Sequence, residues 1–116
     1  FLAKRVDHMV SLGATRDRLI IDPGIGFGKR DGDNLMILQR IEHFKDIGCP
    51  ILIGASRKSF IGAVLGSEVD DRLEGSLASA VISAMNGASI IRVHDVRQTK
   101  RVLDIFRGVR DPEIFI

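Results

Sequence analysis

The sequence has no tryptophan, no tyrosine and only one cysteine among its 116 residues. Cys49 cannot form an internal disulfide, and its apolar neighbours favour a buried thiol, which fits a reducing, cytoplasmic location. No apolar run approaches the roughly 18 residues of a membrane span, and nothing resembles a signal peptide. Basic runs with interleaved aromatic residues are also lacking, and the net charge is only +2. Neither a membrane nor a nucleic acid is therefore an expected partner.

The composition is that of a folded globular chain, with 45% hydrophobic and 28% charged residues. A chain of this length suits one small domain. Its first residue is Phe1 rather than methionine, and it opens inside an amphipathic pattern in which Leu2, Val6 and Met9 share a helical face. We therefore expect residues 1–116 to form a single partial domain of a longer protein.

Short apolar strands alternate with amphipathic helices along the chain. The predicted strands are residues 18–22, 51–55 and 89–94, and the predicted helices are residues 1–12, 33–47, 59–66, 71–85 and 97–107. Strands this apolar are typical of a parallel sheet covered on both faces. The pattern predicts an α/β fold of the form α-(βα)₃, either a doubly wound sheet or part of a (β/α)₈ barrel.

Polar side chains predict where three of the helices begin. Asp33 or Asn34 is a candidate N-cap of the second helix, and Asp95 is one for the last helix. Asp71 and Glu74 stand three residues apart, as in a capping box. We expect Asp95 to be a helix cap rather than a catalytic group.

Each predicted strand also ends in polar residues. Asp22 closes the first strand, Lys58 follows the second, and Arg92 and His94 lie two apart at the end of the third. In a strand that spacing puts Arg92 and His94 on one face. Ligands of parallel α/β sheets bind at the carboxyl ends of the strands, so these residues predict one site.

Several of these residues have a functional and a structural interpretation. Asp22 can accept two parallel N–H bonds from a planar heterocycle, or it can cap the turn that Pro23 begins. Lys58 is either a donor to a ring or an exposed cation. Ser56 offers a hydroxyl or begins a turn, and Phe27 is either the wall of a ring pocket or a loop anchor.

Arg92 and His94 form the most specific pair. Arginine supplies a permanent planar cation that suits a diphosphate, and histidine can add a second donor. The structural alternative is a pair of polar residues satisfied at the end of a strand. No spacing of His, Cys, Asp or Glu predicts a metal site built by this chain.

Three motifs together resemble the C-terminal part of dihydropteroate synthase, a pterin-binding family. They are LIIDPGIGFGK (19–29), PILIGASRKSFIG (50–62) and IRVHDV (91–96). The resemblance implies a (β/α)₈ TIM barrel in which these segments contain the sixth, seventh and eighth strands. Since such a barrel takes about 250 residues, the chain would hold less than half of it.

The resemblance also implies an activity and its residues. The family joins 6-hydroxymethyl-7,8-dihydropterin diphosphate to p-aminobenzoate, giving dihydropteroate and pyrophosphate in folate biosynthesis, with Mg²⁺ whose ligands would lie outside this chain. The implied substrate-binding residues are Asp22, Phe27, Gly54, Ser56, Lys58, Arg92 and His94. Of these, Lys58, Arg92 and His94 are the implied catalytic residues.

The resemblance implies a homodimer, or association with the N-terminal portion of the barrel. The late helices form the family's dimer contact, and we expect small residues of the 71–85 helix to lie on its outer surface, namely Gly75, Ser76, Ala78, Ser79 and Ser83. We expect this chain alone to be inactive. Two alternatives remain: another pterin-binding barrel, of the methyltetrahydrofolate methyltransferase type, and an inactive truncated module.

Overall fold

A computed structural model describes all 116 residues. The chain forms five α-helices and two short strands. The elements are α1 (Leu2–Ser11), α2 (Asp31–Gln39), β1 (Leu52–Ile53), α3 (Ser59–Leu65), α4 (Leu73–Met85), β2 (Ile90–Ile91) and α5 (Val96–Arg110). Short 3₁₀ helices cover Arg16–Arg18, Ile41–Ile47 and Pro112–Phe115. No helix is both long and apolar enough to cross a lipid bilayer.

The sheet is parallel, as predicted, but its regular pairing is much shorter than the predicted strands. Leu52 pairs with Ile90 and Ile53 with Ile91. The first predicted strand, 18–22, contributes only a parallel bridge between Ile21 and Ile51. Its ladder consists of two bonds, Ile21 N–H to Pro50 O (3.0 Å) and Leu52 N–H to Ile21 O (2.8 Å). The 18–22 segment lies at the edge of the sheet and pairs with one neighbour only. No second set of backbone hydrogen bonds therefore extends it into a regular strand.

The second predicted helix, 33–47, is two elements rather than one. It begins earlier than predicted, with Arg30 as N-cap, so that Asp33 lies in the first turn and accepts the Arg30 N–H (3.1 Å). After Gln39 the chain tightens into the 3₁₀ helix Ile41–Ile47. The apolar residues there, Ile41, Phe44 and Ile47, are spaced by three, and residues so spaced align on one face of a 3₁₀ helix.

The other two predicted caps also differ in detail. The helix α4 starts after Arg72, and neither Asp71 nor Glu74 forms a cap hydrogen bond. Asp95 is the N-cap residue of α5, as predicted, but its side chain makes no cap bond. Its backbone oxygen instead accepts the Thr99 N–H (2.9 Å) and the Thr99 hydroxyl (2.7 Å).

The small residues of α4 face inward, which corrects the expectation that they lie on its outer surface. Ser76, Ser79 and Ser83 are buried. A Cβ on Gly75 would come within 3.5 Å of the Ile61 Cβ on α3 and closer still to its methyl group. At Gly75 the physical reason is that α3 and α4 approach too closely for a larger side chain between them. Ser79 and Ser83 can be buried because their hydroxyls donate to carbonyl oxygens of α4 itself. Ala78 alone of the five is exposed.

The core lies on one face of the sheet. Ile21, Ile51 and Ile53 are buried there with side chains from α1, α2 and α3. On the opposite face Ile20 is 56% exposed and Leu52 is half-buried. The molecule is accordingly a slab of 44 × 43 × 21 Å. This open α-(βα)₃ arrangement leaves one sheet face available to hold a site.

Candidate functional site

Strand alternation brings the predicted site residues to the uncovered face of the sheet. In a parallel pair, residues in register point to the same side. Because Leu52 pairs with Ile90, Gly54 and Arg92 point to the same face two residues later. A cleft of about 110 Å³ lies there, lined by Gly54, Ser56, Lys58, Arg92, Val93 and His94. Asp22 joins this group through its contact with Arg92.

The Asp22 side chain makes the predicted turn-capping contact and also pairs with Arg92. One carboxylate oxygen, Oδ1, accepts the Gly24 N–H at 2.8 Å, which is the turn-capping contact. The other, Oδ2, accepts from Arg92 Nη1 at 3.3 Å. The Asp22 side chain is one-third exposed and that of Arg92 is more than half exposed. A long, exposed ion pair of this kind is worth about 0–1 kcal/mol, so both charges can be released to a ligand.

The Arg92 guanidinium lies directly against the backbone of Gly54. A Cβ at residue 54 would lie 2.8 Å from both Cζ and Nε of Arg92. Any side chain there would therefore displace the guanidinium from its contact with Asp22. Gly54 shapes the cleft by providing this space.

His94 is held by Ser56. The Ser56 hydroxyl oxygen lies 2.9 Å from His94 Nδ1 and accepts the His94 backbone N–H at 3.3 Å. With one lone pair used by that N–H, the serine proton can go to Nδ1 of a neutral imidazole. The remaining ring nitrogen, Nε2, is then the N–H donor. Ser56 is buried, so its role here is to orient the imidazole.

Lys58 stands between the cleft and the 24–29 loop. Its ammonium donates to the Ile25 carbonyl oxygen and lies 4.9 Å from the centroid of the Phe27 ring. Burial lowers the pKa of Lys58 below its ordinary value of 10.5, and repulsion from Arg92 lowers it further, against a smaller opposing attraction to Asp22. Phe27 itself is 69% exposed, so its ring forms an open wall.

The sequence reasoning missed Asn34. This residue is 1% exposed, and its Oδ1 accepts the Gly26 N–H at 2.8 Å. Gly26 has φ +85°, which favours glycine, and a Cβ there would lie 3.0 Å from Lys58 Cδ and crowd that side chain. Asn34 thus fixes the loop against which Lys58 packs. Asn34 is not the predicted N-cap, because α2 begins after Arg30, and the Asn34 side chain reaches back to the preceding loop.

The side chains at the cleft can be compared with the ligands that a magnesium ion requires. No group of three or more His, Cys, Asp or Glu side chains is arranged to hold a metal ion. The charged side chains at the cleft are Lys58, Arg92 and Asp22, and the single carboxylate is already paired with Arg92. The donor set therefore does not fit a magnesium ion held by this chain.

Comparison with known proteins matches this geometry to one family. A family model described as pterin binding enzyme matches residues 1–94. The dihydropteroate synthase of Haemophilus influenzae is 47% identical over 108 residues, and that of Escherichia coli K12 is 42% identical over 105 residues. These matches cover 93% and 90% of this chain but only 39% and 37% of the relatives.

A solved structure gives the same result at the level of the fold. The Yersinia pestis DHPS, described with a pterine-sulfa conjugate, superposes with a TM-score of 0.91 at 39% identity. The match covers 96% of this chain and 43% of that chain. The slab is therefore the partial TIM barrel that the family resemblance implies, rather than a doubly wound sheet. The chain spans about two fifths of the length of the curated relatives it matches.

Proposed function

The chain belongs to the pterin binding enzyme family, and from that premise we propose that it carries part of the active site of a dihydropteroate synthase. Such an enzyme joins 6-hydroxymethyl-7,8-dihydropterin diphosphate to p-aminobenzoate and releases pyrophosphate. One observation carries the proposal. Asp22, Lys58 and the pair of Arg92 and His94 come from three neighbouring parallel segments and meet around one face.

Asp22 and Lys58 would bind the pterin. A 2-aminopyrimidinone edge presents a ring N–H and an exocyclic amine side by side, and a carboxylate can accept both. Lys58, already turned toward the 24–29 loop, would donate to the ring carbonyl and nitrogen on the other side. Phe27 would cover the ring, with its own face already against the ammonium. Gly54 and Ser56 would line the pterin and aminobenzoate pockets.

Arg92 and His94 would bind the diphosphate. Without a ligand, Arg92 and Asp22 neutralise each other. Binding of the pterin diphosphate would replace this single pair by two: the carboxylate with the pterin edge, and the guanidinium with the diphosphate. Because the pair given up is weak and charge-assisted bonds to the ligand are stronger, the exchange favours the complex.

The reaction needs no general base from this chain. The amine lone pair of p-aminobenzoate attacks the pterin methylene carbon, the C–O bond to the diphosphate breaks, and its electron pair leaves on the diphosphate oxygen. The amine then loses one proton to solvent water. Donors at the leaving group stabilise the charge that develops on it, and this is the catalytic contribution that we propose for Arg92 and His94. Lys58 would hold the ring in line for that step.

Three further proposals follow from the family. Magnesium would have ligands outside this chain, because no donor set here fits it. The chain would act as a homodimer or together with the N-terminal portion of the barrel. A cytoplasmic location fits the free thiol of buried Cys49.

Pyrophosphate binding by the chain, measured by calorimetry, tests the anion site. Arg92→Ala should abolish it, and Arg92→Lys should restore it only in part, because an ammonium lacks the bidentate fork. Arg107→Ala on α5 removes the same charge away from the cleft and serves as the control. Equal affinity for the parent and Arg92→Ala would mean that the pair is structural.

A module that binds without turnover is the second candidate. A steady-state assay of dihydropteroate formation distinguishes the two candidates. The methyltetrahydrofolate methyltransferase alternative is not favoured, since the similar proteins are dihydropteroate synthases.

A further inference from the structure

The register of the parallel sheet continues through side chains beyond the strands. Residues 52 and 53 pair with residues 90 and 91, an offset of 38. Ser56 and His94 make their contact at the same offset, and so do Arg57 and Asp95. Each of these side-chain contacts joins the two loops that line the cleft. The Arg57–Asp95 contact is the last one along the chain that keeps the offset of 38.

Arg57 has an unusual backbone conformation at this place. It is the only residue other than glycine with a positive φ, at +58°. For a residue with a Cβ this left-handed conformation costs of order 1 kcal/mol, and it persists only where surrounding contacts impose it. Arg57 lies between Ser56 and Lys58, two residues of the cleft.

Three contacts impose this conformation, two from the start of α4 and one from the start of α5. The Arg57 N–H donates to the Ser76 hydroxyl on α4 at 2.9 Å. The Arg57 carbonyl oxygen accepts from Arg72 Nη1 at 2.9 Å. The guanidinium Nη2 donates to Asp95 Oδ1 at 3.0 Å, at the start of α5. The first two fix the backbone, and the third joins the 54–58 loop to the 92–95 loop.

We propose that Arg57 is a positioning residue, and that its contact with Asp95 holds Ser56, Lys58 and His94 in the arrangement that binds the diphosphate. This inference rests on the proposed function of the cleft. Arg57 need not touch the ligand. Its left-handed backbone directs the side chains of Ser56 and Lys58 toward the cleft. Its guanidinium, bound to Asp95, holds the 54–58 loop against the 92–95 loop. Without the contact, His94 keeps only its bond to Ser56.

A set of variants separates this role from a direct contact with the ligand. Asp95→Asn removes the ion pair but leaves the Arg57 cation free. If Arg57 acts through Asp95, Asp95→Asn and Arg57→Ala should each weaken pyrophosphate binding about fivefold, and the double variant should be no weaker than either. If Arg57 instead binds the anion itself, Asp95→Asn should bind as well as the parent or better, and the proposal is overturned.

Arg57→Gly separates positioning from simple stabilisation. Glycine adopts the left-handed conformation without strain, and the ion pair it removes is partly exposed. We therefore expect a thermal midpoint equal to or above that of the parent, together with about fivefold weaker pyrophosphate binding. Arg16→Ala is the matched control, because it too removes one cation and one aspartate contact, that with Asp7. Unchanged affinity in Arg57→Gly would contradict the proposal.

Backbone ¹⁵N relaxation of the same variants keeps the two proposals distinguishable. Arg57→Ala and Asp95→Asn should lower the order parameters of residues 56–58 and 94, and Arg16→Ala should not. If the parent binds no pyrophosphate, the proposed anion site is wrong, whereas the relaxation result still decides whether Arg57 orders the cleft. Order parameters unchanged in both variants would overturn the positioning role.

Discussion

Asp22 and Arg92 neutralise each other across the first and third segments of the sheet. Neither charge is buried, and each makes at most one other polar contact. A permanent structural pair in a protein core would be shielded and would satisfy more of its hydrogen-bonding groups. The Asp22–Arg92 pair therefore has the features of a contact that a ligand can replace. A substitution of Asp22 tests this by the direction in which each ligand's affinity changes.

Asp22→Asn should change the affinities for pterin and for pyrophosphate in opposite directions. Loss of the carboxylate should weaken pterin binding by about 1.5–3 kcal/mol, because the amide cannot accept two N–H bonds with a negative charge. It should strengthen pyrophosphate binding by up to about 1 kcal/mol, because Arg92 no longer has a competing partner. Calorimetry with each ligand measures both, with Asp104→Asn, which pairs with Lys100, as control. Weaker binding of both ligands would show instead that Asp22 is needed for the structure of the cleft.

The lowered pKa of Lys58 gives a pH dependence with a definite sign. Between that lowered value and the ordinary 10.5, the unfolded chain holds a proton on Lys58 that the folded chain has released. Stability rises with pH wherever the unfolded state binds more protons. The unfolding free energy should therefore contain a component that increases over this window, and urea titrations at several pH values should show it.

Lys58→Met is the variant that isolates this component. It should lose the alkaline increase, and Lys100→Met, an exposed lysine paired with Asp104, should keep it. An identical pH profile for the parent and Lys58→Met would mean that the ammonium is as well solvated in the folded chain as in the unfolded one.

The sequence predicted which residues meet at the cleft but not what holds them. Asp22, Lys58, Arg92 and His94 each follow an apolar strand, and the ends of parallel strands meet at one edge. The contacts of Asn34 and Arg57 depend on loop dihedrals, on Gly26 at φ +85° and Arg57 at +58°. Such values follow from tertiary contacts, and no local residue pattern encodes them.

At the scale of elements, the packing of α4 against α3 depends on small residues. Gly75 lies against Ile61 of α3. Ser83, farther along α4, is fully buried, and its hydroxyl donates to the Ser79 carbonyl oxygen at 2.6 Å, so this hydroxyl has a partner. Sequence reasoning identified this face but assigned it to a subunit contact. Small residues permit close approach of helices in either setting, and only the position of α3 decides between them.

Gly75→Ala should destabilise the fold, although alanine is the better helix former. The added methyl would press on the Ile61 side chain of α3, and overpacking of this kind costs about 1–3 kcal/mol. Gly32→Ala in α2 is the matched control, because nothing lies within 4 Å of its Cβ position. That variant should gain about 0.5–1 kcal/mol from helix propensity alone. Chemical denaturation measures the free energy of unfolding of both variants. Equal changes would mean that α3 and α4 move apart at little cost to accommodate the methyl group.

Helix boundaries show where periodicity is informative and where it is not. The end of α4 at Met85 and the start of α5 after Asp95 follow the prediction. The break after Gln39 does not, because the spacing of three through Ile41 and Phe44 satisfies an α-helical stripe nearly as well as a 3₁₀ one. The change to a 3₁₀ helix follows from the burial of Ile41 in the core, which is a tertiary effect.

At the scale of the molecule, two apolar surfaces remain uncovered. One is the open sheet face, where Ile20 is 56% exposed. The other is a groove of about 870 Å³ between α4 and α5, in which Met85, Ile105 and Val109 are all more than 60% exposed. Apolar area of this extent in a slab 21 Å thick favours association. The family resemblance predicts a homodimer through the late helices, which points to the groove.

Charge substitutions on the two surfaces should identify which one associates. Ile105→Asp places a carboxylate in the groove, and Ile20→Asp places one on the sheet face. If copies of the chain pair through α4 and α5, Ile105→Asp should raise the dissociation constant at least tenfold in light scattering at micromolar concentrations, because a charge at the centre of an interface is desolvated. Val64→Asp, on exposed α3 surface, should leave it unchanged. Loss of association only in Ile20→Asp would assign the contact to the open face of the barrel instead, and a compact monomer of the parent chain would contradict self-association through either surface.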